Sequence, residues 1–221
     1  MNISENIFKI NKRIKEACLR IGKNPDDIIL VAVTKTVGIS DIIEAINTGV
    51  KIIGESRIQE ARDKYEFIKD KVKMHFIGHL QKNKVKDAVR MFDMIHSVDS
   101  ISLAQEISNE CEKQNKMMDI LIEVKTSTDP EKYGILPEKV KETIESIIEL
   151  PKLNLKGLMT IATYSQDLNE ARNCFIKLRK LKKNLALKNL IYLSMGMTND
   201  FEIAIEEGAN IIRIGSGIFN F

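Results

Sequence analysis

Along this chain, short apolar runs of strand length alternate with segments whose apolar residues recur at helical spacing. The runs lie at 28–35, 51–55, 73–78, 94–98, 120–125, 155–162, 191–194 and 210–214, and most are apolar throughout. Strands of that kind are covered on both faces, and alternating strand and helix units build parallel sheets. Connecting helices are expected to begin near Ser40, Ile58, Asn83, Ser100, Pro137, Asp167 and Asn199. A leading helix precedes them, with Ser4 as its cap and Gly22 at its end. Ile7, Ile10, Ile14, Ala17, Cys18 and Ile21 form its apolar stripe. Eight strands fit a closed (β/α)8 TIM barrel, a fold of about 250 residues that extends down to about 200, and this chain has 221. An open doubly wound sheet is the alternative. Its glycine fingerprint is missing after the first strand, where Lys35-Thr36-Val37-Gly38 stands. The expectation is one domain over 1–221: a single (β/α)8 barrel with an extra N-terminal helix placed to plug or cover the barrel bottom.

Composition narrows the function classes. The 34 basic and 31 acidic residues leave a net charge of +3, and no long basic block occurs. Lys82, Lys84 and Lys86, like Lys182-Lys183, read as solvated helix faces. With no tryptophan and only 5% aromatic residues, stacking platforms for single-stranded nucleic acid are poorly supplied, so nucleic acid is not the expected partner. Cys18, Cys111 and Cys174 are far apart and odd in number, which suits reduced core residues in a reducing compartment. No apolar run approaches the ~20 residues of a membrane span, and the first residues lack a basic and an apolar leader region. The expectation is a cytoplasmic monomer without a membrane partner.

Barrels of this class place their sites at the C-terminal strand ends. Those ends are polar here, although the strands behind them are apolar. Lys35 shares strand parity with Val31 and Val33. If those point inward, Lys35 sits partly buried at the rim, where an unprotonated amine can attack an aldehyde and form a Schiff base. A solvated lysine at a strand end would need no such role. The runs Ser194-Met195-Gly196-Met197-Thr198 and Gly215-Ser216-Gly217 follow the last two strands, where barrels often bind phosphate. As plain turns these glycines need no ligand. An amine at one strand end and anion-binding loops at two others suit a phosphorylated aldehyde, and pyridoxal 5'-phosphate is one. Arg213 either faces such a ligand, at its ring nitrogen or phosphate, or pairs inside the barrel with an acid such as Glu55. An arginine at the pyridine nitrogen disfavours its protonation and weakens the electron sink. His75 and His79 flank a strand-like Phe76-Ile77-Gly78, and His96 is the remaining histidine. No H-E-x-x-H pattern occurs, so no metal site is expected. Nor is there a G-x-S-x-G elbow.

Six ordered motifs together resemble the YggS/PROSC family, the pyridoxal phosphate homeostasis proteins. They are Ala32-Val33-Thr34-Lys35, the 53–60 segment beginning Ile53-Gly54-Glu55-Ser56, and the 75–84 segment beginning His75-Phe76-Ile77-Gly78-His79. Further on come Gly157-Leu158-Met159-Thr160-Ile161-Ala162, Leu193-Ser194-Met195-Gly196-Met197-Thr198, and Ala204-Ile205 with Arg213-Ile214-Gly215-Ser216-Gly217-Ile218-Phe219. The resemblance implies a barrel like that of alanine racemase, with pyridoxal phosphate held as an aldimine on Lys35. It implies phosphate contacts around Ser194, Gly196, Gly215 and Ser216, with Arg213, His79 and Ser56 also at the cofactor. Ser56 stands where the family usually has asparagine, so a hydroxyl replaces an amide there. Val37-Gly38 replaces a common proline, and Met74 a common aromatic residue. Members of the family are thought to bind, buffer or deliver the cofactor, with pyridoxal-phosphate-dependent apoenzymes as recipients, and efficient catalysis is not expected.

Two alternatives carry different chemistry. A pyridoxal-phosphate-dependent amino-acid racemase needs a second acid/base, which in alanine racemases is a tyrosine from an added C-terminal domain. The sequence ends seven residues after Ile214, which is expected to leave no room for one. Of Tyr65, Tyr133, Tyr164 and Tyr192, only Tyr164 is expected near the mouth. The other alternative is a barrel that binds a different phosphorylated metabolite without a Schiff base.

Overall fold

The first strand pairs with the second on one side and with the last on the other. Ala32 lies opposite Ile53, and Ile29 through Ala32 lie opposite Ile211 through Ile214. That double pairing excludes the open sheet. In this computed structural model, which describes residues 2–163 and 167–220, eight parallel strands close in chain order. They are β1 (Ile29–Val33), β2 (Ile52–Glu55), β3 (Lys73–Phe76), β4 (Met94–Val98), β5 (Met118–Glu123), β6 (Leu153–Met159), β7 (Tyr192–Ser194) and β8 (Ile211–Ile214).

The helices are α1 (Ile3–Arg20), α2 (Ile39–Asn47), α3 (Ile58–Ile68), α4 (Val85–Met91), α5 (Ile101–Lys113), α6 (Val140–Ile147), α7 (Leu168–Leu185), α8 (Phe201–Glu206) and α9 (Ser216–Phe219). Ser100 caps α5 by accepting from the Leu103 amide, and Asp167 caps α7. Both caps supply an acceptor for an amide that the first helical turn leaves unpaired.

Two apolar layers result from strands buried on both faces. Val31, Met94, Leu121, Met159 and Ile211 pack inside the barrel. The larger layer lies between barrel and helices and includes Ile53, Phe76, Ile95, Ile122, Phe175 and Phe201. Neighbouring strand residues thus serve opposite layers, as the pleat dictates.

The leading helix departs from expectation twice. Its cap is Asn2, whose side chain accepts from the Glu5 amide, while Ser4 instead bonds Thr48. It also does not plug the barrel. It packs on the flank against α2, α8 and α9. Asn6 donates to the Ile218 carbonyl at 2.9 Å, Arg13 to Glu202 at 2.6 Å, and Lys23 to the Ala209 carbonyl at 2.8 Å. β8 is followed within the described chain by α9, only four residues long. α1 therefore fills the place that a helix after β8 would take. Its contacts with α2 and α8 place this extra N-terminal helix in the outer ring.

Candidate active site at the barrel mouth

Val31 lies in the barrel interior and Val33 at its upper edge, so the next residue of that parity reaches the mouth. Lys35 does so from a turn just past β1, and its side chain is exposed rather than partly buried in the strand. It opens onto a cavity of about 310 Å³ lined also by Thr198, Asp200, Arg213, Gly215 and Ser216.

The turn that carries Lys35 is held from behind. Thr36 adopts a left-handed conformation (φ 61°), which costs a side-chain-bearing residue on the order of 1–2 kcal/mol. Two bonds from α3 offset it: the Thr36 amide donates to Glu60 at 2.9 Å, and the Lys64 ammonium donates to the Thr34 carbonyl at 2.6 Å. Lys64 also pairs with Glu55 at 2.8 Å, and the Thr34 hydroxyl donates to the same carboxylate oxygen at 2.6 Å. Glu55 is fully buried, and burial pushes its carboxyl above the ordinary range against the pull of Lys64 and Thr34. Its other oxygen, Oε2, is buried without a hydrogen-bond partner.

Glu55 thus faces the helix layer, and its pairing with Arg213 inside the barrel is ruled out. Arg213 points inward from β8 with only 3% exposure. Its guanidinium donates to the Ser194 hydroxyl at 2.7 Å and to the Thr160 carbonyl at 2.9 Å. Burial pushes its pKa down to about 10, with Asp200 and Glu123 opposing, so it remains a cation at neutral pH. Asp200 accepts from the Met197 amide and is itself pushed up by burial. Glu123 is 4% exposed, and burial, with Asp99 adding, raises its carboxyl to about 7 against Arg213 and Lys132.

The loops after β7 and β8 meet. The Ser216 hydroxyl donates to Thr198 Oγ1 at 3.2 Å, and the Gly217 amide reaches the same oxygen at 3.2 Å. Ser194 and Gly196 stand behind this surface and do not line the cavity. Ser194 is fully buried, its Oγ shared between Arg213 and the His96 ring at 3.0 Å. Gly196 has φ 94°, and a Cβ there would lie 2.5 Å from the Ala204 Cβ and 2.9 Å from the Phe201 Cα. No other residue lets α8 pack so close.

Ser56 and His79 are not in the cavity lining either. Ser56 packs its backbone against Gly78. His79 is exposed, lies 3.2 Å from Asp99 and stacks on Tyr133 with ring centroids 3.9 Å apart. Of the eight residues singled out in the sequence, the cavity joins Lys35, Arg213, Gly215 and Ser216. Thr198 was visible inside a quoted motif, whereas Asp200, His96 and Glu123 carried no signal of their own. Tyr164 lies outside the described residues. Among the described residues no cluster of three metal-ligating side chains occurs, and no helix is long and apolar enough to cross a membrane.

The donor set fits a phosphorylated pyridine aldehyde. Lys35 supplies an amine at the rim. Arg213 supplies a buried cation that can only donate, a match for an unprotonated ring nitrogen or an anionic oxygen. Thr198 and Ser216 supply hydroxyls.

The family described as "Alanine racemase, N-terminal domain" matches residues 9–220. A pyridoxal phosphate homeostasis protein of Aquifex aeolicus is 43% identical over 99% of this chain and 98% of its own, and one of Pseudomonas aeruginosa is 36% identical over 98% and 94%. PipY of Synechococcus elongatus, solved with PLP bound, superposes with a TM-score of 0.86 at 30% identity over 98% of this chain and 99% of its own. An alanine racemase of Clostridium difficile shares the fold at a TM-score of 0.74 and 14% identity, and this chain spans 56% of its length. A barrel closed in chain order, carrying the six motifs and matching such relatives end to end, places this chain in the family of pyridoxal phosphate homeostasis proteins, on the alanine racemase N-terminal fold.

Proposed function

We propose that this protein binds pyridoxal 5'-phosphate covalently through Lys35 and takes part in intracellular vitamin B6 homeostasis. The observation that carries the reading is that the Lys35 amine and the Arg213 guanidinium open onto one cavity at the C-terminal mouth. Lys35 would hold the cofactor through its aldehyde carbon, the carbonyl oxygen leaving with two protons as water. Arg213 faces the ring nitrogen or an anionic oxygen from beneath. Thr198, Ser216 and the Gly215 turn hold the phosphate, with Ser194 and Gly196 supporting them from behind. Ser56 and His79 take part from the β2–β3 side of the mouth. When bound, the cofactor supplies an electrophilic carbon and an electron sink.

The protein acts in this reading as a single-domain cytoplasmic monomer over 1–221 that holds and releases cofactor, with pyridoxal-phosphate-dependent apoenzymes as recipients. The name homeostasis protein among its relatives supports a binder over an enzyme.

The test is an absorbance spectrum of the purified protein incubated with pyridoxal phosphate, followed by borohydride reduction and peptide mass analysis. A visible band and a reduced phosphopyridoxyl group on Lys35, both lost in Lys35→Ala, are expected. A colourless wild-type protein that stays unmodified overturns the reading. Amino-acid racemisation that depends on Lys35 would establish the enzyme instead.

A further inference from the structure

Arg213 heads a file of buried polar groups that crosses the barrel. From β8 its guanidinium donates to Ser194 Oγ on β7 at 2.7 Å. Ser194 Oγ lies 3.0 Å from His96 Nδ1 on β4. His96 Nε2 lies 3.0 Å from His75 Nδ1 on β3, with the two rings tilted at 53°. Ser194 and His96 are fully buried, and His75 is 4% exposed. His75 lines a second cavity, of about 380 Å³, at the opposite, N-terminal end of the barrel, beside Lys73, Asp93 and Asp119. Four side chains from four strands thus join the two ends of the barrel interior.

The direction of every hydrogen in this file follows from its first member. An arginine only donates, so Ser194 Oγ accepts from it. The serine proton then needs an acceptor, and a hydroxyl buried without one is disfavoured. His96 Nδ1 is its one remaining partner among the described residues. That nitrogen must be bare, which puts the His96 proton on Nε2, aimed at His75 Nδ1. His75 Nδ1 accepts that proton, so His75 carries its own on Nε2. Burial holds both rings neutral: His96 is pushed well below the ordinary imidazole range and His75 to about 4.

We propose that His96 is a positioning residue for Arg213, acting through Ser194, and that His75 fixes the His96 tautomer from the far end of the barrel. The role rests on the reading that Arg213 faces pyridoxal phosphate. A guanidinium tethered at one nitrogen to Ser194 and at another to the Thr160 carbonyl presents one edge to the cavity. Without His96 the serine hydroxyl turns to compete for other partners, and Arg213 loses a fixed acceptor.

The experiment compares His96→Leu, which removes both nitrogens, with His96→Asn, whose side-chain oxygen can replace Nδ1 as acceptor. Pyridoxal phosphate is titrated into each, reading affinity and the absorption maximum of the bound form. His96→Leu is expected to bind about tenfold more weakly with a displaced maximum, and His96→Asn to restore most of both. A folded His96→Leu protein with wild-type affinity and spectrum overturns the proposal. Nitrogen-15 NMR of the wild-type histidines is read in parallel, so a misfolded variant leaves the test intact. A protonated His96 Nε2 with a bare Nδ1 is expected, and the opposite tautomer overturns the file. Wild-type protein that shows no cofactor band sinks the binding reading instead, and the NMR assignment then tests the file alone.

Discussion

Behind Lys35 a buried ion pair holds the chain, whereas beneath Arg213 a file of neutral groups does. Lys64 and Glu55 lie between β2 and α3, and they secure the backbone of Thr34 and, with Glu60, the turn at Thr36. Ser194, His96 and His75 lie inside the barrel and secure a side chain. The difference follows from what each must hold. A backbone carbonyl needs a donor, and an ammonium supplies one if a carboxylate shares its burial. Arg213 already brings a charge into the interior. Its acidic neighbours, Asp200 and Glu123, stand toward the mouth. Neutral acceptors below orient the guanidinium without adding a second charge, so its field is directed at the cavity.

The ion pair is the more fragile of the two. Removing one member of a buried pair strands the other and costs about 3–5 kcal/mol. Lys64→Met should lose that much in urea denaturation, because Glu55 is fully buried and one of its oxygens already lacks a partner. Adding Glu55→Gln to Lys64→Met should recover most of the loss. A single variant that loses less than about 1 kcal/mol would show that the pair acts as an exposed one, and the contrast with the neutral file would disappear.

Charge at the two ends of the barrel gives the next effect. Glu123 at the mouth has its pKa raised from 4.5 to about 7, and His75 at the bottom has its pKa lowered from 6.5 to about 4. The folded state holds the Glu123 proton after the unfolded chain has released it. Stability from this group is therefore complete below pH 4.5 and lost as the pH rises to 7. The unfolded chain binds the His75 proton first, so stability from that group is complete above pH 6.5 and lost as the pH falls to 4. Each swing amounts to about 3 kcal/mol, and the two oppose each other over nearly the same window. Glu123→Gln should gain on wild type by about 3 kcal/mol between pH 4.5 and pH 8. His75→Gln should gain on wild type as the pH falls from 6.5 to 4. Parallel stability curves for wild type and Glu123→Gln would mean that the carboxyl at the mouth is solvated.

Much of this architecture was legible before any coordinates. Alternating apolar runs and helical stripes point to a parallel sheet covered on both faces, and eight strands without a glycine fingerprint after the first favour the barrel over the open sheet. Strand parity carried Lys35 to the mouth. The limits are physical too. A strand apolar on both faces does not announce which face is inside, so the outward turn of Glu55 and the inward turn of Arg213 could not be separated. A helical stripe shows that α1 buries one face but not what it buries it against, so the flank and the bottom cannot be told apart from it. Ser194 and Gly196 were found by motif, yet a motif does not distinguish a residue that lines a cavity from one that props the lining. His96 belongs to no metal pattern, and its partners come from strands far away in the chain.

The smallest effect tests whether the bonds behind Lys35 and the file beneath Arg213 act independently. Glu60 is held below the ordinary carboxylate range chiefly by the Thr36 amide, with Arg57 helping. Its contribution is present above pH 4.5 and is lost as the pH falls through its lowered value. Glu60→Gln keeps an acceptor for the amide but drops the charge, so it should cost roughly 0.5–1 kcal/mol. Amide hydrogen exchange at Thr36 should quicken in step with that loss. If the Lys35 turn and Arg213 are held separately, the loosened turn should slow covalent capture of pyridoxal phosphate and leave the bound absorption maximum unchanged. In the proposed reading the maximum reports the ring environment beside Arg213, and capture reports the placement of the Lys35 amine. A shifted maximum in Glu60→Gln would mean that the turn at Lys35 and the file beneath Arg213 are one mechanical unit, because a change at the exposed Glu60–Thr36 bond would then be felt at the centre of the barrel.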